Sequence, residues 1–145
     1  MNIRSRFFRN LILILSLPVI PAFLTALVHE KAPVWSPEDQ LLEGEISLAS
    51  ISRWEIEPLW VDARSSEDFS LDHIPNAILL NEDEWDMLLP QFLTVWQPGR
   101  ETVVYCSSLK CNASSAVAAR LKEELGLESV YVLKGGWEAW LKSNR

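Results

Sequence analysis

Polar and apolar positions divide this chain into two regimes. From Leu11 to Val28 no residue is charged and nearly all are apolar, whereas after Gly44 short apolar runs alternate with amphipathic ones. Leu59-Trp60-Val61-Asp62-Ala63, Ala77-Ile78-Leu79-Leu80, Thr102-Val103-Val104-Tyr105-Cys106 and Val130-Tyr131-Val132-Leu133 are short, nearly continuous apolar runs. Such continuity predicts strands buried on both faces. A shorter first strand is predicted near Glu45–Ser47. Between the strands lie helical patterns. Asn81 with Glu84 resembles a capping box opening a helix that carries Trp85, Leu88, Leu89 and Phe92 on one side, with an interruption at Pro90. Val117, Leu121 and Leu125 recur at i, i+4 and i+8, with Lys122, Glu123 and Glu124 outward and Gly126 as the stop. Strands alternating with helices predict an α/β fold, a parallel sheet flanked by helices.

The uncharged segment at 11–28 would span about 27 Å as a helix, close to the hydrocarbon thickness of a bilayer. Pro18 and Pro21 would kink it, which membrane helices tolerate better than soluble ones. Arg4, Arg6 and Arg9 precede it and Lys31 follows, so the positive-inside rule places the N-terminus in the cytoplasm. The same arginines suit the n-region of a secretory signal, but no convincing small-x-small cleavage site stands between Pro21 and Ala32. The expected organisation is a cytoplasmic basic tail at 1–10, a transmembrane anchor at 11–28 (a signal h-region is the alternative), a linker at 29–43 containing Pro33 and Pro37, and a domain at 44–145. Both readings put that domain outside the cytoplasm, in the periplasm if the source is a Gram-negative bacterium.

Charge and composition narrow the chemistry. Residues 1–33 hold Arg4, Arg6, Arg9 and Lys31 against Glu30, a net of +3; of the chain's 13 basic and 20 acidic residues, the remaining nine and nineteen leave residues 34–145 at −10. An acidic body argues against a nucleic-acid partner, since phosphate binding rests on clustered Lys and Arg. The seven Trp mark either a filled core or an exposed aromatic surface. Two cysteines make no disulfide framework, and with only His29 and His73 beside them they are poor material for zinc. Cu(I) on the cysteine pair would lack further ligands. No metal and no cofactor are expected.

The candidate chemistry lies where the third long strand stops. Cys106 ends the apolar run and is followed by Ser107, Ser108, Leu109, Lys110, Cys111 and Asn112, after which a helical stretch begins. A strand, a short polar loop and a helix can aim backbone N–H groups and the positive helix end at the sulfur, which favours a thiolate. In parallel sheets, sites form at the carboxyl ends of strands. A buried, inert thiol is the plain alternative, but a strand-end position is a poor place for core filler.

Three stretches carry a family resemblance. Val61-Asp62-Ala63-Arg64 is followed by Glu67, Phe69, His73-Ile74-Pro75 and Ala77; Val103-Val104-Tyr105 leads into Cys106; and Val130-Tyr131-Val132-Leu133-Lys134-Gly135-Gly136-Trp137-Glu138-Ala139-Trp140 closes the chain. In this order and spacing, residues from about 45 to 143 resemble a rhodanese-family domain. The resemblance implies a sulfurtransferase whose catalytic cysteine, here Cys106, takes sulfane sulfur from a small donor such as thiosulfate, holds it as a persulfide and passes it to a thiol acceptor. Such chemistry needs a nucleophilic thiolate in a pocket of N–H donors.

The active-site loop departs from the family pattern. Where the family has Gly three and Arg five residues after the cysteine, this chain has Leu109 and Cys111, and about three extra residues precede the helix. The missing guanidinium would have held an anionic donor bidentately, so thiosulfate is a doubtful preferred donor. Lys110 either supplies a point charge instead or faces solvent. A phosphatase-like reading fails for want of the same Arg. Cys111, a possible resolving cysteine, is close enough in a curved loop to pair with Cys106 as a disulfide; its alternative is a small hydrophobe packed under the helix. Asp62, Arg64, His73, Gly135 and Gly136 are expected to be structural residues near the site: Asp62 caps the turn after its strand, Arg64 pairs with a carboxylate such as Glu67 or Asp68, His73 buttresses its turn, and Gly135-Gly136 permits a tight turn beside the loop. Asp72 and Asn76 stand where the family has glycines and suit the left-handed region. The Trp137/Trp140 pair is expected to pack an end helix on the sheet. Two further classes stay open: a thiol–disulfide redox protein using Cys106 and Cys111, and a non-catalytic module that binds a partner protein.

Overall fold

The apolar runs become the strands of one sheet. The computed structural model describes residues 41–107 and 112–144. In chain order they form β1 (Glu45–Ile46), α1 (Leu48–Ile51), β2 (Leu59–Asp62), α2 (Ser66–Leu71), β3 (Ile78–Leu79), α3 (Trp85–Val95), β4 (Thr102–Tyr105), α4 (Ala113–Leu125), β5 (Val130–Leu133) and α5 (Gly136–Ser143). The strand order is β1-β5-β4-β2-β3 and every neighbouring pair is parallel. Val104 lies opposite both Val61 and Val132, so β4 is the central strand of the sheet. The expectations for the tail at 1–10, the anchor at 11–28 and the linker to residue 40 lie outside the described residues. Among the described residues no helix is long and apolar enough to cross a membrane.

Side chains alternate across the strands, which builds a separate core on each face. Leu59, Val61 and Val104 pack with Trp85, Leu88 and Phe92 of α3 and Val117 and Leu121 of α4. Trp60, Val103 and Tyr105 point the other way, towards Ile46, Ile51, Ile74 and Leu133, with Trp137 and Trp140 of α5 against them. Tryptophan is core material here: Trp60 and Trp85 are buried, and Trp54, Trp96, Trp137 and Trp140 pack against one core or the other. Gly126, with φ 68°, ends α4 in the left-handed conformation expected of a helix stop.

Three local expectations are corrected. α3 runs through Pro90 without interruption. Proline removes the N–H that would bond the Asp86 carbonyl, but both residues lie on the exposed face of the helix, where the loss costs least. Buried Leu88 and Phe92, on either side, hold the helix to the sheet. The Asn81–Glu84 pair does form, with the Glu84 N–H donating to Asn81 Oδ1 at 2.8 Å, but the turn it closes precedes a helix that starts at Trp85. Only one of the two glycine-replacing residues uses the left-handed region: Asn76 has φ 63°, while Asp72 at φ −167° is extended. The short helices α1 and α2 had no periodic signal.

Candidate active site

Cys106 directly follows β4 at the carboxyl end of the sheet and is only 2 % exposed. Three hydrogen bonds fix the backbone around it. Tyr105 O accepts from Ala63 N at 2.8 Å, Cys106 O from Trp137 N at 2.8 Å and Ser107 O from Glu138 N at 3.2 Å. The last two donors belong to the first turn of α5, where helical geometry leaves N–H groups without internal acceptors. The strand end and the helix start therefore satisfy each other. Gly135 and Gly136, with φ 79° and 53°, make the turn that brings them together. A Cβ on Gly136 would lie 2.1 Å from the Cys106 carbonyl oxygen, so only glycine fits there.

Ser114, in the first turn of α4, places its Oγ 3.2 Å from Cys106 Sγ. It is as buried as the cysteine, at 2 % exposure. Sequence reasoning passed over this residue, although a signal was present. Ser114, Val117, Ala118 and Leu121 follow the i, i+3, i+4, i+7 rule, and all four are the buried residues of α4. A serine on an otherwise apolar stripe faces the sheet, where the strand-end thiol lies.

Beside the strand end sits a buried ion pair. Arg64 Nη2 donates to Asp62 Oδ2 at 2.6 Å, and Arg64 Nε donates to Asp62 Oδ1 and Oδ2 at 3.0 and 3.1 Å. Asp62 Oδ1 also accepts from Arg64 N at 2.9 Å, the turn-capping bond expected of it. The partner of Arg64 is thus Asp62, not Glu67 or Asp68. Those two carboxylates are exposed in the first turn of α2, where they complement the helix dipole. Arg64 Nη2 donates further to Asp72 O at 2.6 Å, and its Cζ lies 4.8 Å from the Trp137 ring centroid and 5.7 Å from that of Tyr105. Burial opposes the guanidinium charge, and hydrogen bonding and attraction to Asp62 more than offset it, so the Arg64 pKa is raised. The Tyr105 hydroxyl accepts from Ile74 N at 3.1 Å. Burial, aided by the Asp62 carboxylate, holds the Tyr105 pKa far above its usual value.

The structure therefore gathers Cys106, Ser107, Ser114 and Gly136 at one point, with the Tyr105–Asp62–Arg64 cluster one residue upstream. Asn112 precedes α4 and makes no side-chain capping bond. Ser108, Leu109, Lys110 and Cys111 lie outside the described residues. His73 belongs to the α2 turn: its Nδ1 lies 2.8 Å from Phe69 O and its ring stacks on Phe69 at 4.0 Å. Among the described residues no group of three or more His, Cys, Asp and Glu is placed to hold a metal ion.

A thiol at the carboxyl end of a central parallel strand, framed by two helix N-termini, defines a thiol-centred α/β domain. Residues 48–143 match the rhodanese-like domain model, and the chain belongs to that family. It is 28% identical over 106 residues to the thiosulfate sulfurtransferase GlpE of Vibrio cholerae, covering 73% of this chain and 93% of that one. With the enzyme of the same name from Shewanella oneidensis it shares 34% identity over 84 residues, 58% of this chain and 76% of the relative. A Bacillus halodurans protein of known crystal structure superposes with a TM-score of 0.57 at 27% identity, over 69% of this chain and 72% of that one.

Proposed function

We propose that the chain is a rhodanese-like sulfurtransferase that carries sulfane sulfur as a persulfide on Cys106. The observation that carries this reading is the placement of that thiol at the strand end, its backbone pinned by α5 and its sulfur facing the first turn of α4. The similarity to enzymes named thiosulfate sulfurtransferase supports it. In the first half-reaction the Cys106 thiolate attacks the outer sulfur of the donor. A new S–S bond forms to Sγ, the donor's own bond to that sulfur breaks, and the electron pair leaves with the donor remnant, as sulfite from thiosulfate or a thiolate from an organic persulfide. In the second half, an acceptor thiolate takes the outer sulfur and Cys106 regains its thiolate. The substrates are a small sulfur donor and a thiol acceptor, either a small molecule or a protein. The N-terminal apolar segment supports a membrane-anchored protein with its N-terminus in the cytoplasm and this domain outside it.

Cys111, standing where the family has Arg, favours a second reading. A Cys106 persulfide attacked by the Cys111 thiolate would release sulfide and leave a disulfide. Intact-mass analysis of the full chain after exposure to thiosulfate or an organic persulfide separates the two. Sulfur transfer predicts a gain of one sulfur atom, the redox reading a loss of two hydrogens, and an unchanged mass with both donors contradicts both.

A further inference from the structure

We infer that Ser114 is a positioning residue for the sulfur nucleophile: its hydroxyl holds the Cys106 thiolate and sets how much of the thiol is ionised. The inference rests on the reading of Cys106 as the reacting group and adds a residue that the loop itself does not contain. Sγ and Oγ are 3.2 Å apart and both residues are 2 % exposed, so water competes little for either atom. While the thiol is neutral, either atom can donate. Once the sulfur ionises it has no hydrogen, and the hydroxyl becomes the donor in a charge-assisted bond, the stronger kind. A bond that strengthens on ionisation favours the ionised form.

The orientation of Ser114 is built into the fold. It shares its helical stripe with Val117, Ala118 and Leu121, whose burial holds that face of α4 against the sheet. Ser115, the next residue, is exposed. The adjacent serines therefore offer an internal comparison, since one faces the sulfur and the other faces solvent.

The bond has a cost as well as a benefit. A thiolate made less basic is also less nucleophilic, by roughly the 0.4–0.5 power of the change in acidity. After the transfer step the charge sits on the outer sulfur of the persulfide, so the bond at Sγ favours the resting thiolate over the product. Removing it should slow the reaction at neutral pH, where ionisation limits the rate, and speed it at high pH, where nucleophilicity does. A merely structural serine gives no such crossing.

The test is the pH dependence of Cys106 alkylation by iodoacetamide in the full chain held in detergent. Trypsin cleaves after Lys110 and puts Cys106 and Cys111 on separate peptides, so each thiol is read alone. Ser114→Ala should move the Cys106 midpoint up by about one pH unit, a shift in the range that a single charged hydrogen bond supplies. The rate near neutral pH should then fall about threefold, and the rate above the midpoint should rise about threefold. Ser114→Thr, which keeps the hydroxyl, should restore the wild-type midpoint, and Ser115→Ala should leave it unmoved. Superimposable wild-type and Ser114→Ala profiles would overturn the inference, as would a loss of rate by one factor at every pH. A shifted profile in a chain whose Cys106 accepts no sulfur would support the role of Ser114 and overturn the sulfur-transfer reading instead.

Discussion

The two faces of the sheet are filled by different chemistry. Against α3 and α4 the core is Leu59, Val61, Leu88, Val104, Val117 and Leu121 with the rings of Trp85 and Phe92, mostly aliphatic. Against α5 it is aromatic: Trp140 meets Trp60 edge-on at 5.4 Å and Trp137 stacks on Tyr105 at 6.3 Å. Here too lies the Asp62–Arg64 pair, with side-chain exposures of 0 and 6%. Aliphatic packing is non-directional and contributes stability roughly in proportion to the area removed from water. Ring contacts, a forked ion pair and backbone-to-hydroxyl bonds are directional, and on this face they fix where β4 ends and how Cys106 leaves it. The first face stabilises the domain and presents Ser114 to the sulfur, and the second fixes the backbone from which the thiol projects.

Paired substitutions separate those two roles, with the largest expected losses of stability. Phe92→Ala removes a ring of 0 % exposure from the aliphatic face and should cost about 3–5 kcal/mol. Arg64→Ala leaves the Asp62 carboxylate buried without its partner and should cost a similar ~3–5 kcal/mol. Denaturant unfolding of the full chain in detergent measures both. The variants should differ in sulfur loading per folded molecule: at the wild-type level for Phe92→Ala, and reduced for Arg64→Ala because the anchor beside the strand end is gone. Equal loading in the two would break the comparison.

A smaller effect sharpens it. Tyr105→Phe keeps the ring stack but leaves the buried Ile74 N–H without its acceptor, at about 1–3 kcal/mol. The same variant reports on alkaline stability. Burial raises the Tyr105 pKa above that of an unfolded tyrosine, and burial with Glu101 nearby raises that of Tyr131. The unfolded chain loses these protons from about pH 10, where the native state still holds them. Their contribution is therefore complete below about pH 10 and is lost as pH rises beyond it. Unfolding midpoints across the alkaline range should fall for the wild type and fall less steeply for Tyr105→Phe. Identical slopes would remove the titration of Tyr105 from the account.

The aliphatic face was the more legible of the two in the sequence. Four of the five strands announce themselves as apolar runs, and the stripe Val117, Leu121 and Leu125 with Gly126 after it marks α4 to its end. α2 was invisible because none of Ser66–Leu71 is buried, so the segment carries no apolar period. At Pro90 local propensity does not decide, because burial of Leu88 and Phe92 holds the helix through it. The aromatic face depends on pairings between distant segments: Arg64 and Trp137 meet across the sheet end, and Ile74 meets Tyr105. For Arg64, Glu67 and Asp68 are almost as near along the chain as Asp62, and only the folded strand end selects Asp62, two residues back. At the site, Cys106 and the glycine pair were readable from position. Ser114 was not, because it lies past the loop, eight residues from Cys106, and only the face that α4 turns to the sheet brings it to the sulfur.

The central claim is that Cys106 carries the sulfur, and peptide-resolved mass analysis after treatment with a sulfane-sulfur donor tests it most directly. Wild-type chain, trapped and cleaved after Arg100, Lys110 and Arg120, should show one added sulfur atom on the peptide 101–110, which contains Cys106, and Cys106→Ser should show none while unfolding at the wild-type denaturant concentration. Sulfur found instead on the peptide 111–120, or retained at the wild-type rate by Cys106→Ser, would contradict the account.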